Sequence, residues 1–236
     1  MVAILGANSV SGAYEISNSV RFDSGSSSDL TRTFSTDSNK RTWTWSGWFK
    51  NCLGSNEIAL LRVSPDDNTI DNIVIGTDGS IQFQNRRAPT NNIYLQTSAL
   101  LRDPSAWYHL VVALDTTQST QSDRVKIYLN GNQITSFASA TYPSQNFEVA
   151  INSNTEHTIS KFRESGGSGT RYGDFYLTEN HFIDGTAKAQ TDFGEFDDNG
   201  VWIPIEYTGT YGTNGHFFEF KQTGTSQNSS GIGADT

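Results

Sequence analysis

The sequence contains one cysteine, Cys52, one methionine and five prolines among 236 residues. A single cysteine excludes an intrachain disulfide, so the fold must rest on packing rather than cross-links, which suits assembly in a reducing cytoplasm. Long apolar runs are missing too. No stretch approaches the length of a membrane span, and the opening run Met1–Leu5 is too short for a signal-peptide core and lacks a basic n-region. Neither membrane insertion nor secretion is expected. Basic residues are few and scattered singly: 16 Lys and Arg stand against 25 Asp and Glu, for a formal charge of −9. Proteins that grip phosphate backbones usually concentrate basic charge on one face, so no nucleic-acid partner is expected.

Aromatic and small polar residues dominate what is present. The 14 Phe, 9 Tyr and 5 Trp stand beside abundant Thr, Ser, Asn and Gly, a balance that suits pleated sheets joined by tight turns rather than helices. The length is enough to bury a substantial core as one all-β domain. The chain divides into an N-terminal arm (1–18), a sandwich (19–221) and a Gly/Ser-rich tail (222–236), which leads into a further region if the native chain is longer.

Short apolar segments punctuated by Gly, Asn, Asp and Pro predict strands in hairpins. Ser19–Asp23 and Glu57–Val63 are two. In Thr42–Lys50, alternation puts Trp43, Trp45, Gly47 and Phe49 on one face and Thr44, Ser46 and Trp48 on the other, so one face should be core and the other partly exposed. Asn72–Gly76 and Ser80–Gln84 form a hairpin through Thr77-Asp78-Gly79, where Gly supplies the positive φ of the turn. Two long strands, Trp107–Asp115 and Arg124–Ile134, flank a polar loop, and Asn130-Gly131 turns the second into a third.

This last segment resembles the laminin-G/pentraxin-like jelly roll of the concanavalin A-like lectins and glucanases, whose members carry a Trp–His strand, a variable loop and a strand ending in Tyr-x-Asn-Gly. The resemblance implies an all-β sandwich of two curved antiparallel sheets, with ligands on the concave face or at one rim. A second resemblance covers nearly the whole chain. Ile4–Val10 with Asn18–Phe22, Thr42–Lys50, His181–Gly185 with Asp192–Glu195, and Tyr207–Gly215 ahead of a strand at His216–Phe220 are together similar to structural proteins of tailed phages, many from aquatic hosts. It implies a virion component, assembled in the host cytoplasm, on a tail, fibre or capsid surface.

Enzymes of this fold place two carboxylates around a sugar bond. Retaining glucanases use Glu-x-Asp-x-x-Glu on a strand, but Glu195-Phe196-Asp197-Asp198 lacks the third acid, and Asn199-Gly200 makes the run a turn. No Gly-x-Ser-x-Gly elbow or His-Glu-x-x-His site is present. His109, His157, His181 and His216 have no ligand-like spacing, and His109 is simplest as a strand residue. Gly166-Gly167-Ser168-Gly169 is followed by neither Gly-Lys-Ser/Thr nor a helix signal, so it reads as a loop rather than a phosphate cradle.

One metal pattern is present. Glu195, Asp197, Asn199, Gly200 and Glu206 fall at calcium-loop positions one, three, five, six and twelve. Against a Ca²⁺ site stand Glu in place of Asp at the first position, Pro204 at the exit and the lack of flanking helices; the alternative is a plain Asp-Asn-Gly turn. Asp66, Asp67 and Asp71 read as a solvated loop. No cofactor is required. Sugar binding calls for an exposed aromatic ring among polar donors. Trp48, Tyr94, Tyr142, Tyr172 and Tyr211 are candidates, although a ring in a sandwich is more often core, and the ligand-binding residues stay unassigned.

The expectation is therefore a non-enzymatic virion structural protein whose lectin-like domain contacts host-surface glycans or other virion proteins, as a homo-oligomer in the particle. The rivals are capsid decoration or assembly without sugar binding, a secreted or cell-surface lectin, and a glycan-degrading enzyme of the same fold.

Overall fold

The computed structural model describes residues 14–52, 56–163, 170–225 and 231–234. The Ile4–Val10 segment, most of the arm, the Gly166–Gly169 loop and part of the tail lie outside the described residues.

In chain order the first strands are β1 (Val20–Phe22), β2 (Leu30–Thr33), β3 (Thr42–Asn51), β4 (Ile58–Asp66), β5 (Thr69–Ile75) and β6 (Ser80–Arg87). Next come β7 (Thr90–Leu100), β8 (Tyr108–Asp115), β9 (Val125–Leu129), β10 (Asn132–Gln133), β11 (Phe137–Thr141) and β12 (Glu156–Ile159). The last are β13 (Lys161–Arg163), β14 (Thr170–Tyr172), β15 (Phe175–Asp184), β16 (Gly194–Phe196), β17 (Trp202–Pro204) and β18 (His216–Phe218). Two seven-stranded antiparallel sheets result. The first runs β1-β15-β3-β8-β9-β10, with β18 also on β15; the second runs β11-β7-β6-β5-β4-β12-β2. Hairpins β13–β14 and β16–β17 lie outside both.

Period-two alternation builds the core between the sheets. Trp43, Trp45 and Phe49 of β3 point inward with Leu110, Val112 and Leu114 of β8, and meet Ile73, Phe83, Ile93 and Leu95 of the second sheet. Trp43 packs edge-on against Phe83 with ring centroids 5.8 Å apart. Each such buried aromatic contributes on the order of 2–3 kcal/mol relative to exposure. The expected strands are present with small shifts of their ends, and Gly79 closes the β5–β6 hairpin at φ +86°.

The opposite face of β3 departs from expectation. Thr44 and Ser46 are fully buried, and so are His109 and Val111 on β8. The chain from Thr186 to Tyr211 lies over this face as a third layer. Thr44 Oγ1 donates to the Thr186 carbonyl (2.8 Å) and accepts from Lys188 N–H (2.7 Å). Val111, Tyr128, Ile183, Phe193 and Tyr207 form a second apolar cluster there. Trp202 seals it, donating its indole N–H to His109 Nδ1 (2.9 Å), while His109 Nε2 meets Ser46 Oγ (2.9 Å). An indole nitrogen can only donate, so Nδ1 accepts and the imidazole is the neutral Nε2–H tautomer. The Trp202 ring rests against Gly131 and Gly194, where a Cβ would come within 2.2 Å and 2.5 Å of it. Gly131 also sits at φ +79°, so the Asn130-Gly131 turn serves both hairpin closure and the seat of the tryptophan.

A buried polar hub joins distant parts of the chain. Asp184 accepts from Asn152 Nδ2 (2.6 Å) and from the backbone N–H of Asn214 (3.0 Å) and Asn39 (3.3 Å). Asn214 Nδ2 reaches the Thr36 carbonyl and Asn152 Oδ1. The Asn152 N–H donates to His157 Nε2.

Truncating Trp202 to Ala is expected to cost about 3–5 kcal/mol of unfolding free energy, read as a shift in the denaturation midpoint. Gly131→Ala should destabilise as well, by strain at positive φ and collision with the ring. Wild-type stability in both variants contradicts the third layer.

Candidate ligand-binding face

The second sheet leaves part of its outer face open. Inward-facing Ile73, Phe83 and Leu95 are fully buried, so their neighbours point outward. Pairing places Arg62 (β4), Asn72 (β5), Gln84 (β6), Tyr94 (β7) and Thr141 (β11) side by side in one row. The next row holds Val74, Gln82, Gln96 and Ser139. Hairpin β13–β14 covers the β4–β5 end: Phe162 packs on Ala59 and Val74, and the guanidinium groups of Arg62 and Arg171 each lie 5.3 Å from its ring. Beyond it, Gln82, Gln84, Tyr94, Gln96 and Ser139 are half-buried and Thr141 is exposed.

Hydrogen bonds set the amides in this strip. Gln82 and Gln96 donate from Nε2 to Ser80 Oγ (3.0 and 3.2 Å), Gln84 donates to Asn91 Oδ1 (3.2 Å), and Tyr94 Oη donates to Gln96 Oε1 (3.1 Å). The Tyr94 phenol is raised above its usual range by burial, then by the charges of Asp78 and Glu57, so it stays protonated. A ring flanked by positioned amides on a rigid sheet combines apolar contact with directed donors and acceptors, which is what a polyhydroxylated ligand requires. The outward placing of Gln82 and Gln84 follows from alternation with Ile81 and Phe83. Their alignment with Tyr94 and Gln96 depends on strand register, which alternation alone does not give.

The five candidate rings separate. Trp48 stacks on His109 at 4.8 Å. Tyr142 packs on the main core. Tyr211 packs on the third-layer cluster and bonds His181 Nδ1 (2.9 Å). Tyr172 sits on β14. Tyr94 is the ring centred on the open strip.

The calcium pattern is not drawn together. Glu195 is exposed on β16 and Glu206 is exposed beyond β17. Asp197 accepts from the backbone N–H of Val201 (2.7 Å) and Asn199 (2.9 Å), bonds that hold its carboxyl below the usual range, and Gly200 turns the chain at φ +76°. The local geometry is thus a side-chain-bonded hairpin turn. Among the described residues no three His, Cys, Asp or Glu side chains gather where a metal ion would sit. The expected Asp66, Asp67 and Asp71 loop also divides. Asp66 caps its own turn through Asn68 and Thr69 N–H, both at 2.7 Å. Asp71, by contrast, is fully buried between the sheets because alternation turns it inward, where Asn85 Nδ2 and the N–H groups of Ala150 and Ile151 donate to it.

All four histidines are buried. Burial pushes His109 and His216 down to about 3 and His157 to about 4, and lowers His181 against the opposing pull of Glu179. Asp71 is pushed up to about 6 by burial, against the three donors.

Residues 22–169 match the family model described as the concanavalin A-like lectin/glucanases superfamily. No curated protein sequence matches the chain. Among solved structures, a native heptameric SAP-like pentraxin from Limulus polyphemus is 18% identical over 67% of this chain and 70% of its own, with a TM-score of 0.45. The Ruminococcus gnavus IT-sialidase CBM40 is 12% identical over 69% of this chain and 95% of its own, TM-score 0.47. Domains LG4-5 of the mouse laminin α1 chain are 8% identical over 87% of this chain and 48% of that one, TM-score 0.49.

Two outcomes follow. The unfolded chain's histidines take up protons as pH falls through about 6.5, whereas the folded ones resist until about 4 or 3, so their contribution to stability is complete above about 6.5 and is lost on acidification. Asp71 acts with the opposite sign between its ordinary range and about 6, one group against several. Thermal melts should fall steadily from pH 7 to pH 4, and a flat or rising profile contradicts this. Calcium titration should leave the wild-type melting temperature unchanged, and Asp197→Ala should lower it by loosening the turn. A Ca²⁺-induced rise in wild type that Asp197→Ala abolishes would restore the metal site.

Proposed function

Because the chain belongs to the concanavalin A-like lectin/glucanase superfamily, we propose that it is a non-catalytic binding module of a phage particle that engages host-surface glycans through the Tyr94 strip. The observation that carries this is the ordered set of Gln82, Gln84 and Gln96 around Tyr94 on an open sheet face. Carbohydrate rings present an apolar face and several hydroxyls, and such a surface meets both.

Catalysis forms no part of the proposal. Hydrolysis would need two carboxylates across one sugar bond, whereas Asp197 is tied into its own turn and Glu195 lies on the exposed β16. The phage context is supported by the sequence segments His181–Gly185 and Tyr207–Gly215. In this setting the protein is assembled in the host cytoplasm as a repeated virion subunit beside other virion proteins.

A glycan array probed with wild type and Tyr94→Ala tests this. Wild type is expected to bind a defined glycan set with no release of reducing ends, and Tyr94→Ala to lose roughly tenfold or more in affinity. A blank array beside stable copurification with virions would select capsid decoration or assembly without sugar binding. Turnover of a bound glycan would select an enzyme.

A further inference from the structure

The third layer stops short of one end of the first sheet. On the outward face of β3 the side chains change from Thr44 and Ser46, buried beneath that layer, to Trp48 and Lys50, which are only half-buried. Alternation decides what joins them there. Val20 and Phe22 of β1, Phe175 and Leu177 of β15 and Phe49 of β3 face the core, so Arg21, Tyr176 and Lys50 point outward. Register sets these three in one row, Arg21 opposite Tyr176 and Tyr176 opposite Lys50. Trp107, one residue before β8, completes the row: Tyr108 pairs with Phe49, and the Trp107 ring meets Tyr176 edge-on with centroids 6.4 Å apart.

A lone exposed tryptophan is ordinary. Trp107, 38% exposed, instead shares its corner with a second ring and two cations. Among the described residues Arg21 and Lys50 make no hydrogen bond or ion pair, whereas Arg41, Lys161, Arg171 and Lys188 each lie against a carboxylate. The acids nearby are engaged by neutral donors. Asp174 accepts from Ser24 N–H and Oγ (both 2.8 Å), and Asp103 from Ser105 N–H (2.7 Å) and Oγ (2.6 Å). The two positive charges also converge: burial raises the Cys52 thiol, and Arg21 and Lys50 both pull it back down against Asp174. In a chain where 25 acidic residues outnumber 16 basic ones, two such cations on one open row are a site for an anion.

The rings supply the rest of the chemistry. Exposed aromatic faces take the apolar face of a sugar, and an arginine fork beside a lysine takes a carboxylate. Arg21 and Lys50 stand two strands apart, roughly 10 Å at the backbone, so a sugar seated on Tyr176 has a cation on either side. We infer that this corner is a second binding site, on the opposite sheet from the Tyr94 strip, for a saccharide bearing a carboxylate. Its ring lies on Trp107 and Tyr176, and its anion is held by Arg21 and Lys50. Two cations are too few to hold a run of phosphates against a net charge of −9, which favours an acidic sugar over a nucleic acid.

The test follows the Trp107 indole N–H resonance in the full-length ¹⁵N-labelled protein, assigned by its loss in Trp107→Phe. Trigalacturonic acid, its methyl ester and decathymidylate are the probes. The acid should shift the signal saturably, and the ester, which lacks the charge, should bind roughly tenfold or more weakly. Arg21→Gln combined with Lys50→Gln should weaken the response to the acid by a similar factor while leaving the melting temperature at the wild-type value. Added salt should weaken it as well, and Tyr94→Ala should leave it unchanged. An indole signal indifferent to the acid, equal affinity for acid and ester, or tighter binding of decathymidylate each overturns the site. A Trp107 response beside a blank glycan array would remove the Tyr94 reading alone. Array binding lost in Tyr94→Ala, with Trp107 indifferent to the acid, would remove this site alone.

Discussion

Polar side chains buried on the back of the first sheet are the constraint from which the rest of the architecture follows. Thr44, Ser46 and His109 stand on a surface that a simple two-layer sandwich would leave to water, yet all three are buried. Once inside, each must be paired, because an orphaned polar group in a low-dielectric interior is expensive. The segment after β15 answers each need: Thr186 and Lys188 satisfy Thr44, and Trp202 completes a line from its own indole through His109 to Ser46. The tryptophan in turn requires two glycines to lie on. Covering a β-face, rather than filling the core between the sheets, is what the segment from Thr186 to Tyr211 does.

The same logic explains why segments far apart in sequence keep company. Asp184 ends β15 and holds Asn39, Asn152 and Asn214 about its carboxylate, so the start of β3, the loop before β12 and the approach to β18 meet at one charge. His157 is drawn in as a neutral acceptor for Asn152 N–H. The segments His181–Gly185 and Tyr207–Gly215 lie within this hub and the third layer. Their physical role is closure of the fold.

Much of the sandwich was legible because its signals are local. Period-two apolar alternation located the main strands, and Asp78-Gly79 and Asn130-Gly131 located the turns. What escaped was non-local. Nothing in Thr44-Trp45-Ser46 tells whether its polar face meets water or Trp202, more than 150 residues away. The acids at Glu195, Asp197 and Glu206 have calcium-loop spacing in sequence, but a hairpin turn sends them apart. Asp71 looked like its solvated neighbours, although alternation from Ile73 places it inside. Gln82 and Gln84 were readable as outward-facing, and their alignment with Tyr94 was not, because register across β6 and β7 depends on tertiary pairing.

With part of the first sheet's outer face covered as well, its partner sheet presents an open strip of its own. The Tyr94 strip lies there, backed by rigid pairing and by amides already positioned by hydrogen bonds, so little side-chain freedom would be lost on binding. The most direct test is side-chain amide mapping by NMR on protein titrated with a glycan that it binds. The Nε2 resonances of Gln82, Gln84 and Gln96 are expected to shift together while the Trp202 indole signal stays fixed. Movement of Trp202 with the three glutamines unmoved would place the ligand on the covered sheet and contradict the account.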